Sequence, residues 1–153
     1  MSDAGPVRPQ KFLAIDYGHK RTGLAIGDDQ MRMALPLDMW AGITTVQLVA
    51  RVKELARQER ISRIVMGYPY NMDGSVGPQA KLVDEIIAQL EAATGLPVTR
   101  MDERLTSAEA EGRLAGHFTR LQKRQRVDAL AAAAILQDYL GTLPPQARAE
   151  GAE

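Results

Sequence analysis

The sequence contains no cysteine and no excess of either charge sign. Without cysteine, disulfides and thiolate metal sites are excluded, and a cytoplasmic location is favoured. Because 19 Lys+Arg balance 19 Asp+Glu, the molecule has no strong overall field for polyanions, and a nucleic-acid role would need local basic patches. No apolar run approaches the ~18–20 residues of a membrane span, and the first residues lack the pattern of a signal peptide. We therefore expect a soluble, cytoplasmic protein with no membrane partner.

The length of 153 residues suits one domain that is large enough to bury a core. Two prolines and a glycine near the start predict a loose tail over residues 1–10. Prolines, alanines and charges predict a second tail over residues 141–153. The sequence shows no internal repeat, so we expect a single folded domain over residues 11–140.

Hydrophobic spacing and turn residues predict an α/β fold with a mixed central sheet flanked by helices. The predicted strands are 11–17, 22–27, one within 31–40 that Pro36 places at an edge or a break, 61–66 and 96–101. The predicted helices are 44–60, one that starts near Pro78 and stops at Gly95, 106–114 and 125–140. A polar loop is predicted over 70–77 and a basic loop over 116–124.

Acidic residues occur where this fold would bring distant side chains together. Asp16 ends the first strand, Asp102 and Glu103 end a later strand, and Asp128 opens the apolar stretch of the last helix. Carboxyl ends of neighbouring parallel strands border the crevice in which open α/β sheets bind ligands. Buried acids repel one another unless something positive joins them, and a divalent cation commonly does so. The pattern predicts a metal-dependent enzyme.

Each acid also has a simpler interpretation. Asp16 could start a turn and do nothing more. Asp102 and Glu103 point to opposite faces of a continuing strand, and alternation does not say which of them joins Asp16. Both could instead meet the amino end of the next helix, and Asp128, which shares a helical face with Ala132 and Ile135, could serve only a helix dipole.

Several polar residues could contact a phosphate-bearing ligand. Arg104 lies beside the acidic pair and could hold a phosphate in bidentate fashion. Lys123 and Arg124 lie close to Asp128 in the sequence. Lys20 lies in the first hairpin turn, and Asn71 lies in the loop that follows a strand end. Solvent exposure or loop packing would explain the last two equally well.

Four blocks of the sequence, in order, resemble the YqgF family. They are residues 14–18 with 23–27, residues 67–69 with 73–75, residues 102–110, and residues 128–132. The resemblance covers residues 11–140 and implies a ribonuclease H-like fold. The family's members are known as pre-16S rRNA nucleases and also as Holliday junction resolvases. The resemblance therefore implies a nuclease that acts in ribosome biogenesis on precursor rRNA, with the ribosomal subunit as a further expected partner.

The resemblance also assigns roles by position. Asp16, Glu103 and Asp128 take the places of the metal-binding, catalytic carboxylates, and Glu103 is preferred to Asp102 on this ground alone. Hard oxygen ligands favour Mg²⁺, and Mn²⁺ should substitute. Arg104, Lys20, Asn71, Lys123 and Arg124 are the expected substrate-binding residues. Tyr68 departs from the family, which commonly has leucine at that position.

Competing functions are open at this stage. A Holliday junction resolvase would act as a symmetric dimer, whereas rRNA end processing needs one site, and the sequence does not decide between monomer and homodimer. The hairpin at Asp16 also resembles the phosphate loop of sugar-kinase and actin-type ATPases, but those need two such domains. A non-catalytic nucleic-acid-binding module in RNA processing or transcription is the third alternative.

Overall fold

A computed structural model describes residues 9–103 and 120–144, with side chains left undescribed for 120–128. Its elements, in chain order, are β1 (Lys11–Tyr17), β2 (Arg21–Asp28), β3 (Leu35–Ala41), α1 (Thr45–Glu59), β4 (Arg63–Tyr68), α2 (Pro78–Thr94), β5 (Val98–Asp102) and α3 (Arg120–Thr142).

The five strands form one mixed sheet in the order β3-β2-β1-β4-β5. β1 pairs antiparallel with β2 through the predicted hairpin and parallel with β4, which in turn pairs parallel with β5. Parallel neighbours need crossover connections, and α1 and α2 provide them. The carboxyl ends of β1, β4 and β5 therefore lie side by side at one end of the sheet.

Helices cover both faces of the sheet. The first face packs against α1 and α2 through buried residues that include Leu13, Ile15, Met66, Val83 and Ile86. The second face packs against α3 through Phe12, Ala14, Val65, Ala132 and Ile135. Successive side chains of a strand alternate between these two faces, so neighbouring residues at a strand end face different helices. This alternation decides which acidic residues can meet.

The predicted α/β architecture is confirmed, and local residues explain the helix ends. Thr44 caps α1, because its hydroxyl accepts from the amide of Gln47 while the Gln47 side chain accepts from the amide of Thr44. Gly95 ends α2 as predicted, in the left-handed conformation that suits glycine. No helix in the described ranges is long and apolar enough to span a membrane.

Three details differ from the prediction or fall outside what is described. The prediction of a basic loop over 116–124 is wrong for residues 120–124, which belong to α3. These five residues include no proline and no glycine, so no residue type among them opposes a helix. β4 begins and ends two residues later than predicted, and β5 begins two residues later and ends one residue later. The helix expected over 106–114 lies outside the described residues.

Candidate active site

Asp16 lies near the carboxyl end of β1, on the face covered by α3. It alternates with Phe12 and Ala14, which are both buried against α3. Its main chain is fixed by β2 on one side, where Asp16 pairs with Gly23. The strand ends one residue later, so a carboxylate here faces the crevice at the sheet end.

Glu103, and not Asp102, meets Asp16. Asp102 pairs with Tyr68 of β4, and Tyr68 packs into the core under α1 and α2. Met101, one residue before Asp102, packs on the α3 side of the sheet. Glu103, one residue after Asp102, lies on that same side. Glu103 forms a side-chain hydrogen bond with Asp16. The β4–β5 register thus resolves the choice that the local pattern left open.

Gly67 forms the floor between the two carboxyl groups. A Cβ atom at this position would lie 2.8 Å from Oε1 of Glu103, 3.7 Å from Oδ1 of Asp16 and 2.7 Å from Cδ1 of Ile135. β4 lies between β1 and β5, and the absence of a side chain at Gly67 is therefore what allows Asp16 of β1 and Glu103, directly after β5, to approach across it. The signal was present in the sequence, since glycine inside an apolar strand often marks a close approach, but sequence analysis did not assign Gly67 a role.

The electrostatics of this pair favour a positive partner. Burial raises the pKa of Glu103 above its usual value, and the negative charge of Asp102 acts in the same direction, while the hydrogen bond with Asp16 opposes both. Ionised carboxylates only accept hydrogen bonds, so a bond between two carboxyl groups requires a proton on one of them. A divalent cation can take the place of that proton. Oε1 of Glu103 and Oδ1 of Asp16 both border the space above Gly67, where such a cation could contact them. The donor set, hard carboxylate oxygen, suits such an ion.

Asp128 lies in α3, four residues before Ala132 and seven before Ile135. Tyr139 of α3 packs edge-on against Phe12 near the start of β1, and Ile135 reaches Gly67 near the end of β4. Residues earlier in α3 therefore continue toward the carboxyl ends of these strands. The Asp128 side chain is outside the described residues, and among those that are described no group of three candidate ligands occurs. Its role as a third ligand stays a prediction.

The predicted substrate contacts have different outcomes. Lys20 is exposed in the β1–β2 turn, at the same end of the sheet as Asp16. The side chain of Asn71 closes its own loop, because Nδ2 donates to the hydroxyl of Ser75 at 2.9 Å. Arg104 and the side chains of Lys123 and Arg124 lie outside the described residues. Substrate binding by all five stays a prediction.

A second polar cluster, on the opposite face, ties β5 to its neighbours. The hydroxyl of Tyr68 donates to Asp84 of α2 at 2.8 Å, and Nη2 of Arg100 donates to the same carboxylate at 2.8 Å. The Arg100 guanidinium also lies 5.5 Å from the centre of the Tyr68 ring. Sequence analysis recorded Tyr68 as a family departure but missed its partners, because contacts across 16 residues leave no local pattern. This cluster restrains the edge strand β5, which Glu103 directly follows.

Asp84→Asn should lower the free energy of unfolding near neutral pH by roughly 0.2–1 kcal/mol, as for other partly exposed ion pairs. Burial opposes ionisation of Asp84, but the hydrogen bonds from Tyr68 and Arg100 and the charge of Arg100 prevail and lower its pKa. A lowered pKa stabilises the fold above the ordinary carboxyl pKa of about 4, and that contribution is lost as pH falls through the folded-state value. Urea unfolding of both proteins at several pH values measures this. Glu85→Gln, an exposed change on the same helix, is the control; a difference that persists unchanged in acid would contradict the account.

Comparison with known proteins gives one family. The family model described as "RuvX: Holliday junction resolvase" matches residues 10–142. A relative from Anaeromyxobacter dehalogenans, named "Putative pre-16S rRNA nuclease", is 42% identical over 88% of this chain and 99% of its own. A relative of the same name from Chloroflexus aurantiacus is 39% identical over 86% of each chain.

Solved structures share the fold at low sequence identity. Thermus thermophilus RuvC in complex with a Holliday junction substrate aligns with a TM-score of 0.56 at 18% identity, covering 90% of this chain and 99% of that one. The large terminase nuclease of phage G20c aligns with a TM-score of 0.55 at 14% identity, covering 85% and 82%. The single domain observed here is therefore ribonuclease H-like, as predicted.

Proposed function

The chain belongs to the RuvX family, also called YqgF, and from that premise we propose the substrate and the reacting groups of this nuclease. It hydrolyses phosphodiester bonds in nucleic acid. The substrate that we propose is the precursor of 16S rRNA, cut at its 5′ end during ribosome biogenesis in the cytoplasm. The observation that carries the proposal is the pair of carboxyl groups, Asp16 and Glu103, hydrogen-bonded above Gly67 at the sheet end.

Asp16, Glu103 and Asp128 would hold the divalent cation. Mg²⁺ is the expected ion, with Mn²⁺ as a substitute, because the proposed ligands are all carboxylate oxygens. When bound, the cation supplies positive charge beside the scissile phosphate and stabilises the negative charge that develops on its oxygens. Because these acids come from β1, from the residue after β5 and from α3, the folded sheet would fix their spacing before substrate arrives.

Basic side chains around this site would orient the phosphate backbone. Lys20 is exposed at the same end of the sheet, and Arg104, Lys123 and Arg124 flank two of the proposed acids in the sequence. Contacts of this kind fix the register of the nucleic acid without reading its bases. Asn71 would contribute by shaping the loop after β4, where its amide already bonds Ser75.

Precursor rRNA is preferred to a four-way DNA junction because the sequence relatives at 42% and 39% identity carry the rRNA name. A resolvase has to cut two strands and therefore needs two sites related by symmetry. Processing of an rRNA end needs only one cleavage site, which either a monomer or one subunit of a homodimer would supply. The family description retains the junction resolvase as the second candidate.

The test compares wild type with Asp16→Asn on labelled precursor 16S rRNA and on a four-way DNA junction, with Mg²⁺, with Mn²⁺ and with chelator. Asp16→Asn keeps the size of the side chain and removes its charge. We expect metal-dependent cleavage of the rRNA that is lost in the variant. Cleavage of the junction alone would move the assignment to resolvase. Cleavage of neither substrate, by a folded protein that binds nucleic acid, would favour the non-catalytic module.

A further inference from the structure

The loop between β4 and α2 carries an apolar side chain into solvent. Met72 is 89% exposed, and Val76, later in the same loop, is 45% exposed. Exposure of an isolated apolar side chain is common on protein surfaces. Here the position matters, because the loop begins one residue after β4 ends, and β4 carries the glycine that separates the two carboxyl groups of the candidate site.

Hydrogen bonds hold this loop in one shape. The amide of Asn71 donates to the carbonyl of Ser75, and the amide of Gly74 donates to the carbonyl of Asn71, each at 2.8 Å. The Ser75 amide and hydroxyl both donate to Oδ1 of Asp73. At the base of the loop, the rings of Tyr68 and Tyr70 pack edge to face with centres 4.7 Å apart. Met72 is therefore presented by an ordered turn, which lowers the entropy cost of using it in a contact.

The loop lies within reach of a bound nucleic acid strand. Met72 is five positions after Gly67, so their Cα atoms are at most ~18 Å apart. That span corresponds to about five stacked nucleotides at ~3.4 Å per nucleotide. A strand held with one phosphate at the carboxyl groups can therefore also pass Met72.

The chemistry of the loop suits a base better than a phosphate. Residues 69–80 contain neither lysine nor arginine. The loop's one carboxylate, Asp73, accepts hydrogen bonds from Ser75. In a continuous duplex an apolar side chain reaches the face of a base only by unstacking it, which costs free energy, whereas unpaired ends and bulges offer a base face that is already free. The loop therefore matches an unpaired nucleotide within about five positions of the cleavage site.

We propose that Met72 is a contact for an unpaired nucleobase and makes this nuclease select single-stranded or unstacked segments of its substrate. This inference rests on the proposed nuclease function and adds a subsite for bases, which the carboxyl groups and basic residues do not provide. A junction or a precursor rRNA end would be bound where its strands are open. A continuous duplex would lose this contact.

The test measures binding separately from cleavage. In an Asp16→Asn background, Met72→Ala is compared by fluorescence anisotropy on a short labelled single-stranded RNA and on the same RNA annealed to its complement. We expect affinity for the single strand to fall about fivefold, the lower end of the range for a base stacked on an aromatic side chain, and affinity for the duplex to stay unchanged. Met72→Phe should restore or strengthen single-strand binding. Melting temperatures should not change, because the side chain is exposed.

Met31→Ala is the matched control. Like Met72, Met31 is largely exposed (71%), but it lies just after the end of β2. The end of β2 pairs with Lys11 at the start of β1, so Met31 is at the opposite end of the sheet from the carboxyl groups. Its replacement should change the affinity for neither the single strand nor the duplex. The inference would be overturned if Met72→Ala and Met31→Ala bound the single strand with equal affinity. It would also be overturned if Met72→Ala lost as much affinity for the duplex as for the single strand, or if the protein bound neither RNA. Because this assay measures binding alone, a failure of the proposed nuclease function would appear in the cleavage test and not here.

Discussion

Glu103→Gln is expected to lower the rate of phosphodiester cleavage by a factor on the order of 10²–10³, the usual loss when one electrostatic stabiliser is removed from an active site. The neighbouring change Asp102→Asn should leave the rate close to that of wild type. Both variants replace an acid by its amide at the end of β5, and they differ in the face of the sheet that each side chain occupies.

The physical reason lies in strand register. Glu103 bonds Asp16 across Gly67 on the α3 face, where the cation would be held. Asp102 is paired with Tyr68, whose side chain packs against the core on the α1–α2 face. Removal of the Asp102 charge also removes one cause of the raised pKa of Glu103, but it removes no proposed ligand.

Single-turnover cleavage of the labelled precursor by both variants, at saturating Mg²⁺ and again at saturating Mn²⁺, measures this difference. Circular dichroism melting of the same preparations establishes that each variant is folded. A large loss in Asp102→Asn together with full activity in Glu103→Gln would reverse the assignment. Equal losses in both would show that the site extends to the other face of β5.

Gly67→Ala is expected to reduce cleavage strongly and also to destabilise the fold by about 1–3 kcal/mol, the range for overpacking a filled core. The added methyl would lie 2.7 Å from Cδ1 of Ile135 and 2.8 Å from Oε1 of Glu103, so at least one of them has to move. Ile135 is buried and has little freedom to do so. The carboxyl group of Glu103 is then displaced from Asp16.

The control for this change is Gly141→Ala, in the last turn of α3. Among the described residues, no atom apart from the chain neighbours and the backbone of its own helix lies within 4 Å of a Cβ added there. Alanine also favours a helix over glycine, so stability should be equal or slightly higher. Cleavage is measured well below both melting temperatures, where a merely less stable protein is still folded. Wild-type activity in Gly67→Ala under those conditions would contradict the role given to the space above Gly67.

Much of this fold was predictable because its signals are local. The apolar run 12–15 ending in Asp16 indicated a buried strand, and the alternation of Asp16 with Phe12 and Ala14 indicated the helix-covered face. Pro36 indicated an edge strand, and β3 is the edge of the sheet, with an irregularity in its pairing at Leu24 and Ala25. These features depend on residues that are close in sequence.

The parts that could not be predicted depend on distant contacts. The choice between Asp102 and Glu103 requires the β4–β5 register, which alternation along one strand does not contain. The glycine at position 67 is visible in the sequence, but the groups that approach it are identified only when β1, β5 and α3 are placed around it. The loop expected to end at Arg124 was inferred from its charge, but a run of Lys, Arg, Gln and Leu also favours a helix, and α3 includes residues 120–124.

The most direct test of the carboxylate site is Mn²⁺ binding followed by electron paramagnetic resonance, in which the signal of the free ion falls as the protein binds it. Wild type and Asp102→Asn should bind Mn²⁺ with similar affinity, whereas Asp16→Asn and Glu103→Gln should bind at least about tenfold more weakly, as expected when a charged ligand is lost. Added Mg²⁺ should compete for the same site. Equal Mn²⁺ affinity in all four proteins would place the cation elsewhere and contradict the site described here.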